Sequence, residues 1–276
     1  MKRLFYILLL PLIVGCQFDP TGFFFTSDRV NQRFDESMAY NAAQPAHEIE
    51  TTDNEYQILF ASDGHVGDTG NLSKLIVTAN QLNTEALFFT GDIVQGKEND
   101  YRTLYDVMDR SFGSPYFMSV GNHELYYNGW PYYAHYYGSS VYTVAIKTPD
   151  YSDLVIVLDS GSGTLGSNQL AWLRDILENQ RSNYRYCIVV HHVNIFRTRF
   201  STVASPVVEE VHELVDLFTV NHVDMVVMGH DHRRIIDEFG GTSYICIEAF
   251  ADFMESPACM LVTAGSDELQ YEFIGL

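Results

Sequence analysis

The chain has 276 residues, of which 46% are hydrophobic and 19% charged, and 36 acidic residues against 16 basic ones give a formal charge of −20. The length suits one α/β domain, and the apolar fraction is ample for its core. Such acidity, with no basic stripe, repels nucleic acid and anionic headgroups at long range and disfavours a nuclease. No internal repeat or low-complexity tract interrupts the pattern.

Lys2 and Arg3 precede an apolar stretch from Leu4 to Val14 that is too short to span a bilayer and reads as a secretory signal. Its end, Leu12-Ile13-Val14-Gly15-Cys16, resembles the lipobox of bacterial lipoproteins, where cleavage falls before an acylated cysteine. The expectation is a signal peptide over residues 1–15, a lipid on Cys16, and a place in the bacterial envelope. Gln17 carries no obvious retention signal, so either membrane fits. Cleavage would leave 14 basic and 36 acidic residues, a charge of −22, so membrane contact would come from acyl chains. The other cysteines, Cys187, Cys246 and Cys259, fall in apolar runs and read as packed thiols.

Residues 16–54 read as a tether and adaptor. Ser27 is placed to cap a short helix with Val30, Phe34 and Met38 at a spacing of four, and Phe23-Phe24-Phe25 is too apolar to hang in water. From residue 55 to 276 strands and helices alternate. Strands are predicted at 56–61, 86–90, 116–120, 141–146, 154–158, 186–190 and 225–228. Helices are predicted at 71–82, 101–110, 169–180 and 207–219, and the end, from 235, is strand-rich. This order fits mixed sheets packed face to face with outer helices better than a closed barrel.

Six polar clusters follow the apolar runs: Asp63-Gly64-His65, Gly91-Asp92, Gly121-Asn122-His123-Glu124, Asp159-Ser160, His191-His192 and Gly229-His230-Asp231-His232. Strand-end loops are where α/β proteins place their chemistry, and His, Asp and Asn supply the N and O donors that hold divalent metals. Singly most are bland: Asp-Gly is a common turn pair, Gly-Asp a strand cap, and His191-His192 two core histidines. Gly229-His230-Asp231-His232 stands best alone, since alternating histidines bring two imidazoles near one point. A bound ion lowers the pKa of its water, and two ions roughly 3.5–4 Å apart hold attacking and phosphoryl oxygens together.

Taken in order, Asp-x-His, Gly-Asp, Gly-Asn-His-Glu, a strand-end His and Gly-His-Asp-His resemble the calcineurin-like metallophosphoesterases over about residues 56–274. The resemblance implies a four-layer αββα sandwich and a dinuclear phosphohydrolase using two divalent ions, drawn from Mn, Fe, Zn and Co. It implies that Asp63, His65 and His232 bind one ion, that Asn122, His191 and His230 bind the other, and that Asp92 bridges them. His191 rather than His192 is taken by family register. It further implies in-line attack by a metal-bridging hydroxide, with His123 facing the substrate phosphate as general acid or transition-state stabiliser and Glu124 orienting it or holding the loop.

Two departures stand out. Gln95 occupies the position at which purple acid phosphatases carry a tyrosine, and His192-Val193 lacks the proline frequent after the strand-end His. The tyrosine-rich stretch 125–137 has two readings, loop packing and stacking on a nucleotide base, and packing is preferred. Arg197 and Arg199 either grip a second phosphate or offset local acidity. The substrate is expected to be a small phosphoester, monoester or diester. The rival is a noncatalytic binding or scaffolding lipoprotein on the same fold.

Overall fold

Short apolar runs make the strands of two sheets in the computed structural model, which describes residues 28–197 and 204–276. One sheet has five strands, β2 (Tyr56–Ala61), β3 (Ala86–Phe89), β4 (Tyr116–Met118), β11 (Ala258–Ala264) and β12 (Leu269–Gly275), in the order β12-β11-β2-β3-β4. The other has seven: β1 (His47–Glu50), β5 (Tyr142–Lys147), β6 (Ser152–Val157), β7 (Cys187–Val190), β8 (Met225–Met228), β9 (Ile235–Phe239) and β10 (Thr242–Cys246), ordered β1-β5-β6-β7-β8-β10-β9. The runs β2-β3-β4 and β6-β7-β8-β10 are parallel, and the neighbours outside them mix both senses.

Side-chain alternation builds the layers. Ile58 and Phe60 of β2 and Phe88 of β3 face Val155, Ile188, Val190 and Val227 across an apolar inter-sheet core. The opposite side chains of the five-stranded sheet, Leu59, Leu87 and Phe89, are covered by α2 (Gly70–Leu82), α3 (Glu98–Ser111) and α4 (Trp130–Tyr137). On the far side of the seven-stranded sheet, Leu154, Ile156 and Val189 are covered by α1 (Val30–Ala42), α5 (Gly166–Gln180) and α6 (Val208–Val220). This is the expected four-layer arrangement of helices, two mixed sheets and helices.

The adaptor expected over 16–54 is, in its described part, built into the domain. Phe34 and Met38 of α1 pack into the helix-covered core, and β1 pairs in parallel with β5, His47 opposite Val144. With one buried apolar residue, Ile49, β1 is too short for its alternation to show in sequence. Ser27, Phe23-Phe24-Phe25, Cys16 and the signal segment lie outside the described residues, as does Arg199. Among the described residues no helix is long and apolar enough to cross a membrane. In the tyrosine-rich stretch a turn leads into α4, with Pro131 near its start and Trp130 and Tyr133 buried.

The three strand cysteines are buried and free. Burial pushes the thiols of Cys187 and Cys259 up to about 12, which removes them as nucleophiles near neutral pH.

Candidate metal centre

The parallel strands of both sheets end on the same side. β2 delivers Asp63 and His65, β3 delivers Asp92, and β4 delivers Asn122 and His123, while β7 and β8 bring the paired histidines from the other sheet. The chain turns sharply at these ends: Asp63, His65, Asp92, His230 and His232 all have positive φ, between 44° and 72°. Left-handed backbone at non-glycine residues costs roughly 1–3 kcal/mol each and persists where the surroundings enforce it, commonly at functional sites. Gly91, at φ 103°, lets the β3 and β4 ends touch, since a Cβ there would lie 2.6 Å from the Gly121 nitrogen.

Two donor groups form. Around Asp63, its Oδ1 lies 3.1 Å from His232 Nε2, which is 3.1 Å from His65 Nε2. Around Asp92, its Oδ2 lies 3.1 Å from His192 Nε2, which is 3.0 Å from His230 Nδ1. Each trio has its ligand atoms within 4.8 Å of one another, and His65, Asp92 and His123 form a third such group linking the two. Asn122 Oδ1 is buried without a hydrogen-bond partner. A buried oxygen left unpaired is costly, and a set of imidazole nitrogens with carboxylate and amide oxygens fits Mn, Fe, Zn or Co. The residues therefore fit divalent ions.

His191 is where the expectation is corrected. The structure brings His192, not His191, to Asp92 and His230. Strand parity is the reason. Cys187 and Val189 point to the helix side and Ile188 and Val190 into the inter-sheet core, so the next residue outward is His191. It lies in a small pocket with Glu210 and Leu214 of α6, and neither ring nitrogen has a hydrogen-bond partner. Asp63, His65, Asp92, Asn122, His123, His230 and His232 all lie at the sheet ends as expected.

Electrostatics suit the donor role. Burial pushes His65 down to about 3, aided by repulsion from His123, and His230 down to about 3, aided by His192; both are neutral imidazoles. Burial raises the Asp63 carboxyl, but His232 beside it more than offsets this and holds it well below the usual range. Asp92 is likewise held down against burial by His192 and His123. The same pairing draws His192 up to about 9 against its own burial, and a cation in that position would displace the proton.

His123 is held on both sides. Its backbone nitrogen donates to Asp92 Oδ1 at 2.7 Å, and its Nδ1 donates to Gln95 Oε1 at 3.1 Å. Gln95, singled out in the sequence only as a missing tyrosine, thus aims the ring. Glu124 does not touch the His123 ring; its carboxylate accepts from the backbone nitrogens of Asp92, Ile93, Val94 and Gly121 at 2.7–3.2 Å. It holds the loop, the second of its two expected roles.

Beside His65 and His123 lies a cleft of about 490 Å³, also lined by Gln95, Lys97, Tyr126, Tyr127 and Phe253. The Phe253 ring leans on His65 and His232, with centroids 5.7 and 6.2 Å away. The tyrosine-rich stretch divides: Tyr133, Tyr136 and Tyr137 pack within the fold, while Tyr126 and Tyr127 reach the cleft. The Arg197 side chain is buried against Asp231, 3.1 Å away, and against His230, which commits it within the protein.

The fold is shared with solved proteins. GAP50, the anchor in the inner membrane complex of Plasmodium, matches with a TM-score of 0.63 at 14% identity, covering 80% of this chain and 84% of that one. A dimetal phosphatase from Danio rerio matches with a TM-score of 0.60 at 12% identity, over 80% and 98%. No curated protein sequence matches the chain. The profile of the calcineurin-like phosphoesterases matches residues 56–234, which include every candidate ligand, and the chain therefore belongs to that family.

Proposed function

We propose that this protein is a hydrolase of small phosphoesters that works with two divalent metal ions. The observation that carries this reading is the convergence of two donor trios about Asp63 and Asp92, with His123 between them and an open cleft. Asp63, His65 and His232 would hold one ion, Asn122, His192 and His230 the other, and Asp92 would serve both. Bound there, such ions neutralise phosphoryl oxygens and make water a competent nucleophile near neutral pH.

The chain's own groups do the rest. Gln95 accepts from His123 Nδ1 and leaves Nε2, 3.9 Å from Asp92 Oδ2, for the phosphoryl group, where the protonated ring would donate to an oxygen on its leaving side. Glu124 keeps the Asp92 loop from relaxing. Phe253 and Tyr127 provide apolar walls, and Lys97 adds one cation to a strongly acidic protein. The cleft volume suits a small molecule, and the −20 charge disfavours a nucleic-acid polymer. The proposal includes an envelope location through a lipid on Cys16, supported by the Gly15-Cys16 motif. The rival scaffolding role is less favoured because no member of the donor set is missing.

The test is hydrolysis of a chromogenic phosphomonoester and a phosphodiester by the full-length chain with added Mn²⁺, alongside Asp92→Asn. Turnover of one ester, reduced in the variant on the order of 10²–10³-fold, is expected. Absence of both turnover and bound metal would sink the hydrolase in favour of the scaffold.

A further inference from the structure

Of the six strand-end clusters, Asp159-Ser160 alone supplies no candidate ligand, yet it is among the best ordered by contacts. Arg33 of α1 grips Asp159 in two-pronged fashion, Nε to Oδ2 at 2.8 Å and a terminal nitrogen to Oδ1 at 3.1 Å, with both side chains at most 1% exposed. Ser140 adds a third donor to Asp159 Oδ2 at 3.3 Å. Gln169, fully buried on α5, clamps the backbone of the same residue, accepting from Asp159 N at 2.8 Å and donating to Asp159 O at 2.9 Å. A buried ion pair is a costly way to gain stability, since well-packed apolar residues do as well, so such a cluster invites a search for what it fixes in place.

What it holds is the next residue. Ser160 Oγ accepts from the backbone nitrogens of both His192 and Val193, at 3.0 and 2.9 Å. One residue on, Gly161 lies against the other ligand loop: a Cβ there would meet Gly121 O at 2.6 Å, immediately before Asn122. The 159–161 turn therefore touches the two loops that carry His192 and Asn122, and none of its polar contacts reaches the Asp63 trio.

We propose that the turn, locked by Arg33 of α1, positions His192 and Asn122 and so sets the affinity of the second metal position without touching metal or substrate. This rests on the metal-centre reading of the donor set. It also gives α1 a role in the site that its distance in sequence conceals.

Mn²⁺ titration by calorimetry, with metal content after dialysis, tests this on the full-length chain. Wild type is expected to bind two ions, and Ser160→Ala to keep one unchanged while the other weakens by about 10–100-fold. Ser160→Thr, which keeps the acceptor, is expected to restore most of the loss. Leu75→Ala, a cavity in the core under α2 on the other sheet, is expected to lower thermal stability yet keep both ions. Two ions of wild-type affinity in Ser160→Ala, or the same loss in Leu75→Ala, would overturn the proposal alone. Wild type binding no Mn²⁺ would overturn the metal-centre reading and this proposal together. If Ser160→Ala does not fold, Arg33→Lys decides: selective weakening of one ion supports the proposal, and two unchanged ions overturn it.

Discussion

His192 hangs from a carbonyl. Its Nδ1 lies 3.1 Å from Thr90 O, which can only accept, so the ring is pinned with Nε2 toward Asp92 and His230. This is the usual arrangement of a ligating imidazole, whose other nitrogen fixes tautomer and direction. His191, its neighbour, has no such orientation toward the cluster. Metal content should therefore separate the two: His192→Ala is expected to fall from two bound Mn²⁺ to one, and His191→Ala to keep both. The reverse pattern would restore the family register and reject the parity argument. Glu124 permits a second test at this scale. Burial and then Asp92 push its carboxyl up to about 7, while the four backbone donors pull it the other way. Glu124→Gln places an amide N–H among those donors, and a loss of about 2–3 kcal/mol is expected in urea unfolding. An unchanged midpoint would show that the loop does not depend on this carboxylate.

Among the elements, α1 is the least expected contributor. It contributes Phe34, whose ring meets Trp172 of α5 edge-on with centroids 6.4 Å apart, and Arg33, which reaches Asp159 across 126 positions of sequence. Phe34→Ala should cost about 3 kcal/mol, measured by denaturant unfolding with tryptophan fluorescence. A loss below about 0.5 kcal/mol, the range of ordinary surface substitutions, would make α1 a loosely laid tether. Physical scale explains which elements the sequence discloses. β3, β7 and β8 are unbroken apolar runs, β2 is interrupted only by Gln57, and each leads into a polar turn, so both the strands and the candidate ligands after them are legible. β1, with a single buried side chain, is not, and α4 is masked by aromatics at every face. The choice of His192 was within reach, because extending the alternation of Cys187 to Val190 by two residues gives it. The Gln95–His123 bond and the Arg33–Asp159 pair were not, because each depends on chain packing that no local pattern encodes.

Across the whole molecule, the two sheets are fastened at both ends by different means. At the end away from the site, Tyr56 of β2 donates to Asp153 of β6 at 2.9 Å, and Asp153 is paired with Arg185 at 2.6 Å. At the site end a few direct bonds cross between the sheets, His230 N to Asp63 Oδ2 at 2.9 Å, His192 Nδ1 to Thr90 O at 3.1 Å and Ser119 Oγ to Leu158 O at 2.8 Å. Beside them the donor set itself spans the gap, with Asp63 and His65 from the five-stranded sheet facing His230 and His232 from the other. Ions bound between the sheets would therefore act as cross-links absent from the unfolded chain, and their binding energy would appear as folding stability. At a free concentration of about 100 times Kd, one site contributes about 2.7 kcal/mol. For a chain of this size, each kcal/mol moves Tm by about 2–4 °C. With two such sites, stripping the protein with EDTA should then lower Tm by about 10–20 °C, and Mn²⁺ should restore it, whereas Asp92→Asn should respond much less to either treatment. Equal Tm values with and without chelator, in protein shown to have lost bound metal, would mean that the inter-sheet core alone holds the sandwich closed.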